Sequence, residues 1–391
     1  MTAPTTPPSM HHVAIAGGGI GGLTLACALR RAGVRVTVFE RAPELRPVGA
    51  GITVQPNAML ALRPLGLDEA VAAQGAIAGE SLILDARGRT LQELPMDRLE
   101  RELGAPMVCL HRARLQEVLL EAAGPDVVRT GCAVVGYQDR GDRVSVKLSN
   151  GEQVEADLLV GADGLHSTVR TQLLGPQPLR YSGYTSWRGI CRDPALTSIE
   201  RTTESWGVGA RFGIVPIGHG ELYWFATANA PEGQDDPKGR VREKLLERFG
   251  DWHEPIPAII EATAESEILR TDILDRRPVP RWSAGRVVLL GDAAHPMTPN
   301  LGQGGCQAIE DAVVLAHALT KNASVSAALQ SYEEKRVARA NAIVSRSFSL
   351  GRMAQLENRA GIFLRNALMR RIPRSATLRQ VREAMRFTLA P

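Results

Sequence analysis

The period of the apolar positions changes several times along this chain, and each change marks an element. His12 to Ala16 is a short apolar run suited to a buried strand. Gly17 to Gly22 interrupts it as a turn. Leu23 to Arg31 then has helical periodicity, and Val34 to Phe39 alternates like a buried strand. The chain therefore opens as strand, turn, helix, strand, the start of an α/β domain. Arg41 to Thr53 is irregular, punctuated by Pro43, Pro47, Gly49 and Gly51. Asn57 to Leu65 predicts a short helix, and Ser81 to Leu94 predicts a hairpin turning at Asp85 to Gly88. Arg112 to Ala123 reads as a helix. Val127 to Leu148 holds short strands followed by a Ser149-Asn150-Gly151 turn, and Leu158-Leu159-Val160 is an apolar strand.

The middle third alternates. Tyr184 to Ile190, Arg211 to Val215 and Leu222 to Ala226 carry much of the aromatic content and predict an antiparallel sheet with one buried face. Lys238 to Phe249 predicts a helix, Val287 to Leu290 returns to a buried strand, and from Gly302 onward nearly everything is helical. The expected class is α/β. A Rossmann-like nucleotide-binding domain is assembled from residues 10–78, 105–175 and 280–345. A mostly antiparallel β-sheet substrate domain is inserted as 79–104 and 176–279, and 346–391 form a C-terminal helical segment.

The first turn carries chemistry. Gly17-x-Gly19-x-x-Gly22, with Gly21 inside it, lies between a strand and a helix. The first glycine permits the tight turn, the second lets a pyrophosphate approach the backbone, and the third lets helix and strand pack closely. The helix N-terminus offers unpaired N–H groups to phosphate. Glu40, followed by Arg41, ends the second strand at the spacing where an acid meets ribose hydroxyls. This motif alone does not separate NAD from FAD.

Composition narrows the class only modestly. The chain has 391 residues, 44% hydrophobic and 23% charged, with a formal net charge of +4. That excess demands no nucleic-acid partner. Cys27, Cys109, Cys132, Cys191 and Cys306 show no metal or redox spacing and read as free thiols. Met1 to Met10 reads as a disordered leader without signal-peptide character, and no apolar stretch reaches the roughly 18 residues of a membrane span. A cytoplasmic protein is expected. The tail differs: from Arg352 to Arg386 there are nine arginines and two glutamates, with Ile362, Phe363, Leu364, Leu368, Met369 and Ile372 among them. Such a segment either packs on the domain with a solvated basic face or makes peripheral contact with the inner face of a membrane.

Two further segments are more specific. Gly161-Ala162-Asp163-Gly164-Leu165-His166-Ser167-Thr168-Val169-Arg170 resembles the Asp-Gly fingerprint of single-component (class A) flavoprotein hydroxylases, the p-hydroxybenzoate-hydroxylase-like superfamily. Gly291-Asp292-Ala293-Ala294-His295-Pro296-Met297-Thr298-Pro299-Asn300-Leu301-Gly302-Gln303-Gly304-Gly305 resembles their second FAD fingerprint. The likeness covers nearly the whole chain, with all three motifs in order. It implies a GR2-type Rossmann domain, FAD as cofactor, NAD(P)H as transient co-substrate, and O₂. Oxygen would pass from a flavin C4a-hydroperoxide to an electron-rich ring. Asp292 would receive the ribityl chain. Gly302, Gln303, Gly304 and Gly305, with Cys306 at the start of the helix, would face the flavin pyrimidine ring.

Arg112 sits in the first turn of a helix, where a cation opposes the macrodipole and needs compensation; in the family it meets the pyrophosphate. Thr53 would lie along the flavin and Val134 would face the adenine through its backbone. Asp163 would support the cofactor region. Arg170 would either join it or form a structural salt bridge, and His295 is expected to be structural.

For the substrate side, Arg211-Phe212-Gly213-Ile214-Val215-Pro216 followed by Tyr223 resembles FAD-dependent urate hydroxylases and also carotenoid epoxidases. Arg211 and Tyr223 are the candidate catalytic pair. Trp187, Arg211, Phe212, Tyr223 and Trp224 are the expected pocket lining. Arg46 to Thr53, Met297 to Gly304 and Phe363 to Pro373 resemble alkyl-quinolone 3-hydroxylases, which handle lipophilic substrates. The expected activity is hydroxylation of an aromatic or heteroaromatic ring, a quinolone or a phenolic compound, by a monomer or homodimer. Epoxidation of a double bond and a non-catalytic redox sensor are the alternatives.

Overall fold

In the computed structural model, residues 10–45, 50–237 and 239–389 are described. The leader before Met10 and the Arg46 to Gly49 part of the quinolone-like segment lie outside them. The first sheet has six strands in the order Ser283–Ala284, Val287–Leu289, Leu158–Gly161, His12–Ala16, Arg35–Phe39, Val128–Arg129. All its pairs are parallel except that of the first two strands. Every residue of His12–Ala16 is buried, as a strand flanked on both sides and covered on both faces requires. Helix Ile20–Arg31 packs against helix Gly304–Lys321, with Gly21 at the contact: a Cβ there would stand 3.2 Å from the Ala308 Cβ. The second of these helices begins at Gly304, two residues earlier than its apolar pattern suggests.

The second sheet has seven strands: Leu269–Asp275, Arg180–Cys191, Leu222–Asn229, Ala210–Pro216, Thr202–Trp206, Glu80–Asp85 and Thr90–Pro95. It joins the early hairpin to the middle third, and only the Glu80–Asp85/Thr202–Trp206 pair is parallel. Strand alternation gives it two unlike faces. One is covered by helices Val241–Phe249 and Ile256–Ala262; here Phe212 stacks on Trp224 with centroids 5.4 Å apart, and both belong to one apolar cluster with Trp187, Phe249 and Ile259. Phe212 and Trp224 are therefore core residues and not pocket lining, and Trp187 packs on the same side and edges a surface hollow with Asp236 and Arg270, contrary to the expectation from the aromatic pattern of the sequence. Arg211 and Tyr223, one position out of step, lie on the other face.

Beyond Lys321 the chain forms helices Val325–Ala354, Arg359–Arg371 and Arg374–Met385. The last lays Leu378 and Met385 into an apolar cluster that includes Met96, Leu99 and Ile190.

Buried charge holds the two long helices together. Asp311 accepts from Arg336 Nε (2.6 Å), His295 Nε2 (2.5 Å) and the Gly291 N–H (3.0 Å). Glu310 accepts from Asn57 Nδ2 (2.6 Å), Gln307 Nε2 (3.0 Å), Arg339 Nε (2.8 Å) and Arg336. Burial pushes the Asp311 carboxyl up, but His295, Arg336 and the Gly291 N–H overcome it and hold it at about 2. A carboxyl lowered in the folded state adds stability that is present above about pH 4 and is lost as pH falls through about 2. Asp311→Asn is expected to cost about 3–5 kcal/mol, because it leaves Arg336 short of a counter-charge in the interior. In urea unfolding curves, the gap between the parent and Asp311→Asn should narrow between about pH 4 and about pH 2. A gap that stays constant across that window would show that the cluster does not hold the charge on Asp311.

Candidate active site

A groove runs from Glu40, along the first glycine turn, to the N-terminus of helix Gly304–Lys321. Its floor is set by close backbone packing. Gly17 has φ +103°, and a Cβ there would lie 2.4 Å from Ala162 O. A Cβ on Gly22 would lie 2.0 Å from Gly17 O. Gly19 is different: a Cβ there would meet nothing within 4 Å, so its backbone faces open space. That is the arrangement a pyrophosphate needs, with two glycines closing the turn and one leaving room for the ligand.

Glu40 lies at one end. Its carboxylate accepts from the Gly18 N–H (2.8 Å) and the Ala42 N–H (2.9 Å), which fixes it beside the turn with further lone pairs for ribose hydroxyls. Arg41 is exposed next to it. The Cys132 N–H donates to Glu40 O (2.9 Å), which brings buried Val134, at the start of strand Val134–Asp139, to the same end. Gln116, which no motif signals, ties its own helix to the turn by donating to Gly18 O (2.9 Å).

Arg112 opens helix Arg112–Ala123, whose N-cap His111 accepts from the Ala113 N–H (3.2 Å). The compensation that an N-terminal cation requires comes partly from Asp292. That carboxyl is raised by burial and drawn back down by His295 and Arg112, while its side chain remains open to solvent along the groove. A Cβ on Gly304 would stand 4.0 Å from Asp292 Oδ1. Gly302 has φ +61°, and a Cβ there would meet Thr53 Oγ1 and Gln55 Nε2, each at 2.9 Å; a Cβ on Gly305 would meet the Ile52 side chain, also at 2.9 Å. Thr53, Asp292, Gly302, Gly304 and Gly305 therefore converge at one end, with the helix N-terminus above them, a favourable place for developing negative charge.

Some side chains point elsewhere. Gln303 is buried and bonds Asn57 (2.9 Å) and Gln307 (2.8 Å), so only its backbone is left for a cofactor. The Cys306 thiol, pushed up to about 12 by burial, receives the Gln55 N–H (3.4 Å) and is inert packing. Asp163 caps helix Thr168–Leu174, accepting from the Thr168 and Val169 N–H groups at 2.8 and 3.2 Å and from the Ser167 hydroxyl. Arg170 forms no salt bridge among the described residues. It donates to the carbonyls of Ala293 and Ala294 (2.8 and 2.7 Å), and burial lowers it to about 10. It links the two fingerprints through their backbones. His295 is buried on Asp311 and points away from the groove chemistry.

The face of the seven-stranded sheet that carries Arg211 and Tyr223 meets this end of the groove at two places. Arg211 Nη2 donates to Asn300 Oδ1 (2.7 Å), just ahead of Gly302. The Tyr223 ring lies against Gly51, where a Cβ would be 2.4 Å from it. Arg211 is buried and also bonds Glu204 (3.0 Å) and Gln355 (3.0 Å). Burial raises the Tyr223 phenol, and adjacent Arg188 partly offsets this. The phenol stays protonated at neutral pH and is available as a donor. Asn300, Gln355 and Glu204 were not foreseen as site residues. Asn300 stands within the second fingerprint, but no local signal marks the other two.

The residues present fit FAD, and the glycines give the test. Gly22→Ala should disrupt the turn and yield colourless protein. Gly19→Ala should fold with the FAD-free melting temperature of the parent yet bind FAD about tenfold or more weakly, because its methyl occupies the phosphate approach. Flavin-fluorescence titration of the apoprotein checks this, and parent-like affinity in Gly19→Ala would remove the phosphate from that position.

Known proteins give the same answer. Residues 10–347 match the FAD binding domain family. The chain is 53% identical to aurachin C monooxygenase/isomerase of Stigmatella aurantiaca, over 96% of this chain and 98% of that protein. It is 35% identical to an FAD-dependent urate hydroxylase of Klebsiella pneumoniae, over 84% of this chain and 87% of that one. A crystal structure of Klebsiella pneumoniae HpxO with FAD and uric acid superposes with a TM-score of 0.90 at 29% identity, covering 98% of each chain. With the phosphate turn, Asp292 and the glycine-opened helix aligned along one groove, the chain belongs to the FAD binding domain family and is an FAD-dependent monooxygenase.

Proposed function

We propose that this enzyme uses NAD(P)H and O₂ to hydroxylate a heteroaromatic ring of the quinolone type. The observation that carries the reading is the double contact between groove and sheet, Arg211 to Asn300 and Tyr223 to Gly51. It supports reading the sheet face that carries Arg211 and Tyr223 as the substrate wall beside the flavin end of the groove. Bound FAD supplies the activation of oxygen. The protein's own part is to position the ring, exclude water and offer hydrogen bonds at its polar edge.

The charge balance favours a neutral ring over a phenolic acid. The Arg211 charge is already met by Glu204, and its other two nitrogens each donate to a neutral amide, Asn300 and Gln355. An anionic substrate would have to compete with those partners. Arg188 and the protonated Tyr223 hydroxyl stand side by side on the same face and can address a ring oxygen. The similarity to aurachin C monooxygenase/isomerase supports the same class.

The reading is tested by following NAD(P)H oxidation and product mass against quinolones, phenolic acids and urate. A quinolone should stimulate oxidation most and return a product heavier by one oxygen atom. A yellow protein that oxidises NAD(P)H without an oxygenated product from any of them would exclude it, and oxygen added across a double bond would replace it with an epoxidase. Tyr223→Phe should retain its flavin and lose about tenfold or more in coupled turnover, as removal of a positioned proton donor does. Parent-like turnover in that variant would take Tyr223 out of the reaction.

A further inference from the structure

Helix Arg359–Arg371 is amphipathic with its faces reversed. The positions turned to the protein include Arg365, which is 5% exposed, and Met369 at 6%. The positions turned outward recur at helical spacing and are apolar: Phe363 is 77% exposed, Leu364 60%, Leu368 54%, and Ile372, just past the helix, 45%. Ala360 and Ala367 continue the stripe. The reversal has a local cause. Arg365 donates to the carbonyls of Met353 and Ala354 (3.2 and 3.1 Å), the last turn of the preceding helix, and lies over the Trp206 ring at 5.1 Å. A cation capping a helix C-terminus is favourable. Anchoring the helix by that residue turns Met369 inward and leaves Phe363, Leu364, Leu368 and Ile372 largely exposed.

The rim of the stripe is basic. Arg370 pairs with Asp85, and Arg374 with Glu93, but Arg359 and Arg371 hold no ion pair among the described residues. From Arg352 to Arg386, nine arginines and two glutamates give +7. The chain as a whole carries +4, so everything outside this segment sums to −3. Arg370, Arg374 and Arg382 are partly neutralised by Asp85, Glu93 and Glu102, which leaves Arg359 and Arg371, at the two ends of the helix, as the cations flanking the exposed apolar row.

We infer that this face docks on an anionic lipid surface. Phe363, Leu364, Leu368 and Ile372 would enter the headgroup–acyl boundary while the flanking arginines meet lipid phosphates. Charge selects this occupant. A second copy would set Arg359 and Arg371 against the same two cations, and a nucleic acid would leave the apolar row in water. The inference rests on the helix alone and holds whichever ring the enzyme oxidises.

The test uses the full-length, FAD-loaded protein and sedimentation with vesicles of phosphatidylcholine alone or with an equal share of phosphatidylglycerol. The protein should sediment with the anionic vesicles, about tenfold more weakly with the neutral ones, and progressively less as salt is raised. Phe363→Ser combined with Leu368→Ser should weaken binding about tenfold or more, with flavin content and turnover of a water-soluble substrate unchanged. Arg359→Glu with Arg371→Glu should abolish the preference for phosphatidylglycerol. Failure to sediment with anionic vesicles, or equal sedimentation of the Phe363/Leu368 variant, would overturn the inference. So would concentration-dependent self-association that the same variant abolishes without any vesicle binding, since a second copy would then cover the face.

Discussion

The buried charge cluster on helix Gly304–Lys321 is the constraint on which the site depends. Asp311 holds the Gly291 N–H and His295, so it fixes the turn that presents Asp292. Glu310 holds Asn57, and Asn57 holds Gln303, one residue before the helix begins. Arg336 grips both acids from the next helix, and Arg339 extends the link to the carbonyls of Ala384 and Arg386. Taking these charges out of water costs several kcal/mol per ion, and only near-complete hydrogen bonding offsets it. The cluster meets that condition except at His295 Nδ1, which is buried without a hydrogen-bond partner among the described residues. Two acids facing two arginines leave the interior close to neutral. The return is positional: the helix N-terminus, Asp292 and Thr53 are set against one another by groups that have few alternative arrangements.

The same reasoning explains how the sheet is joined to the groove. Asn300 accepts from Arg211 and Tyr184 while donating to Thr298 Oγ1 (2.9 Å) and Ser347 O (2.9 Å). One amide therefore connects the sheet, the fingerprint loop and the long helix Val325–Ala354. Gln355, at the end of that helix, accepts from Arg211 and Thr227 and donates to Asn229. The sheet face that carries Arg211 is located by these side-chain amides; the donors and acceptors of Asn300 are all used, and such connected networks are the rigid ones.

Much of this was legible in the chain. The strand His12–Ala16 and the helix Arg112–Ala123 fall where the apolar pattern puts them, because both are set by local periodicity. Gly17, Gly19 and Gly22 are readable because only glycine satisfies the contacts found there. The compensation of Arg112 was demanded by helix electrostatics before any partner was in view. What escaped notice is long-range. Gln355 meets Arg211 across 144 residues, and Glu310 meets Arg336 between two helices, with no spacing rule to announce either. For Arg170 the pattern leaves open a place in the cofactor region or a structural salt bridge, and it instead spends its charge on two carbonyls. The tail was readable as basic and apolar, but its orientation was not, because it is decided by where Arg365 finds acceptors.

The aromatic residues of the sheet show most clearly what a sequence withholds. Phe212 and Trp224 are the conspicuous residues of their strands, and a pocket for a ring invites aromatic lining. Strand parity decides otherwise. Phe212, Ile214, Trp224 and Ala226 share the face under helices Val241–Phe249 and Ile256–Ala262, where an apolar cluster has to be completed. The positions between them, Arg211, Tyr223 and Thr227, are thereby committed to the opposite face. A one-residue slip in either strand would carry every side chain across the sheet. It would bury a guanidinium in the apolar cluster and expose an indole to the groove. The stacking of Phe212 on Trp224 (5.4 Å, 12°) thus contributes to the site without belonging to it. It makes the alternative register too costly to populate, and so keeps Arg211 within reach of Asn300 and Tyr223 against Gly51.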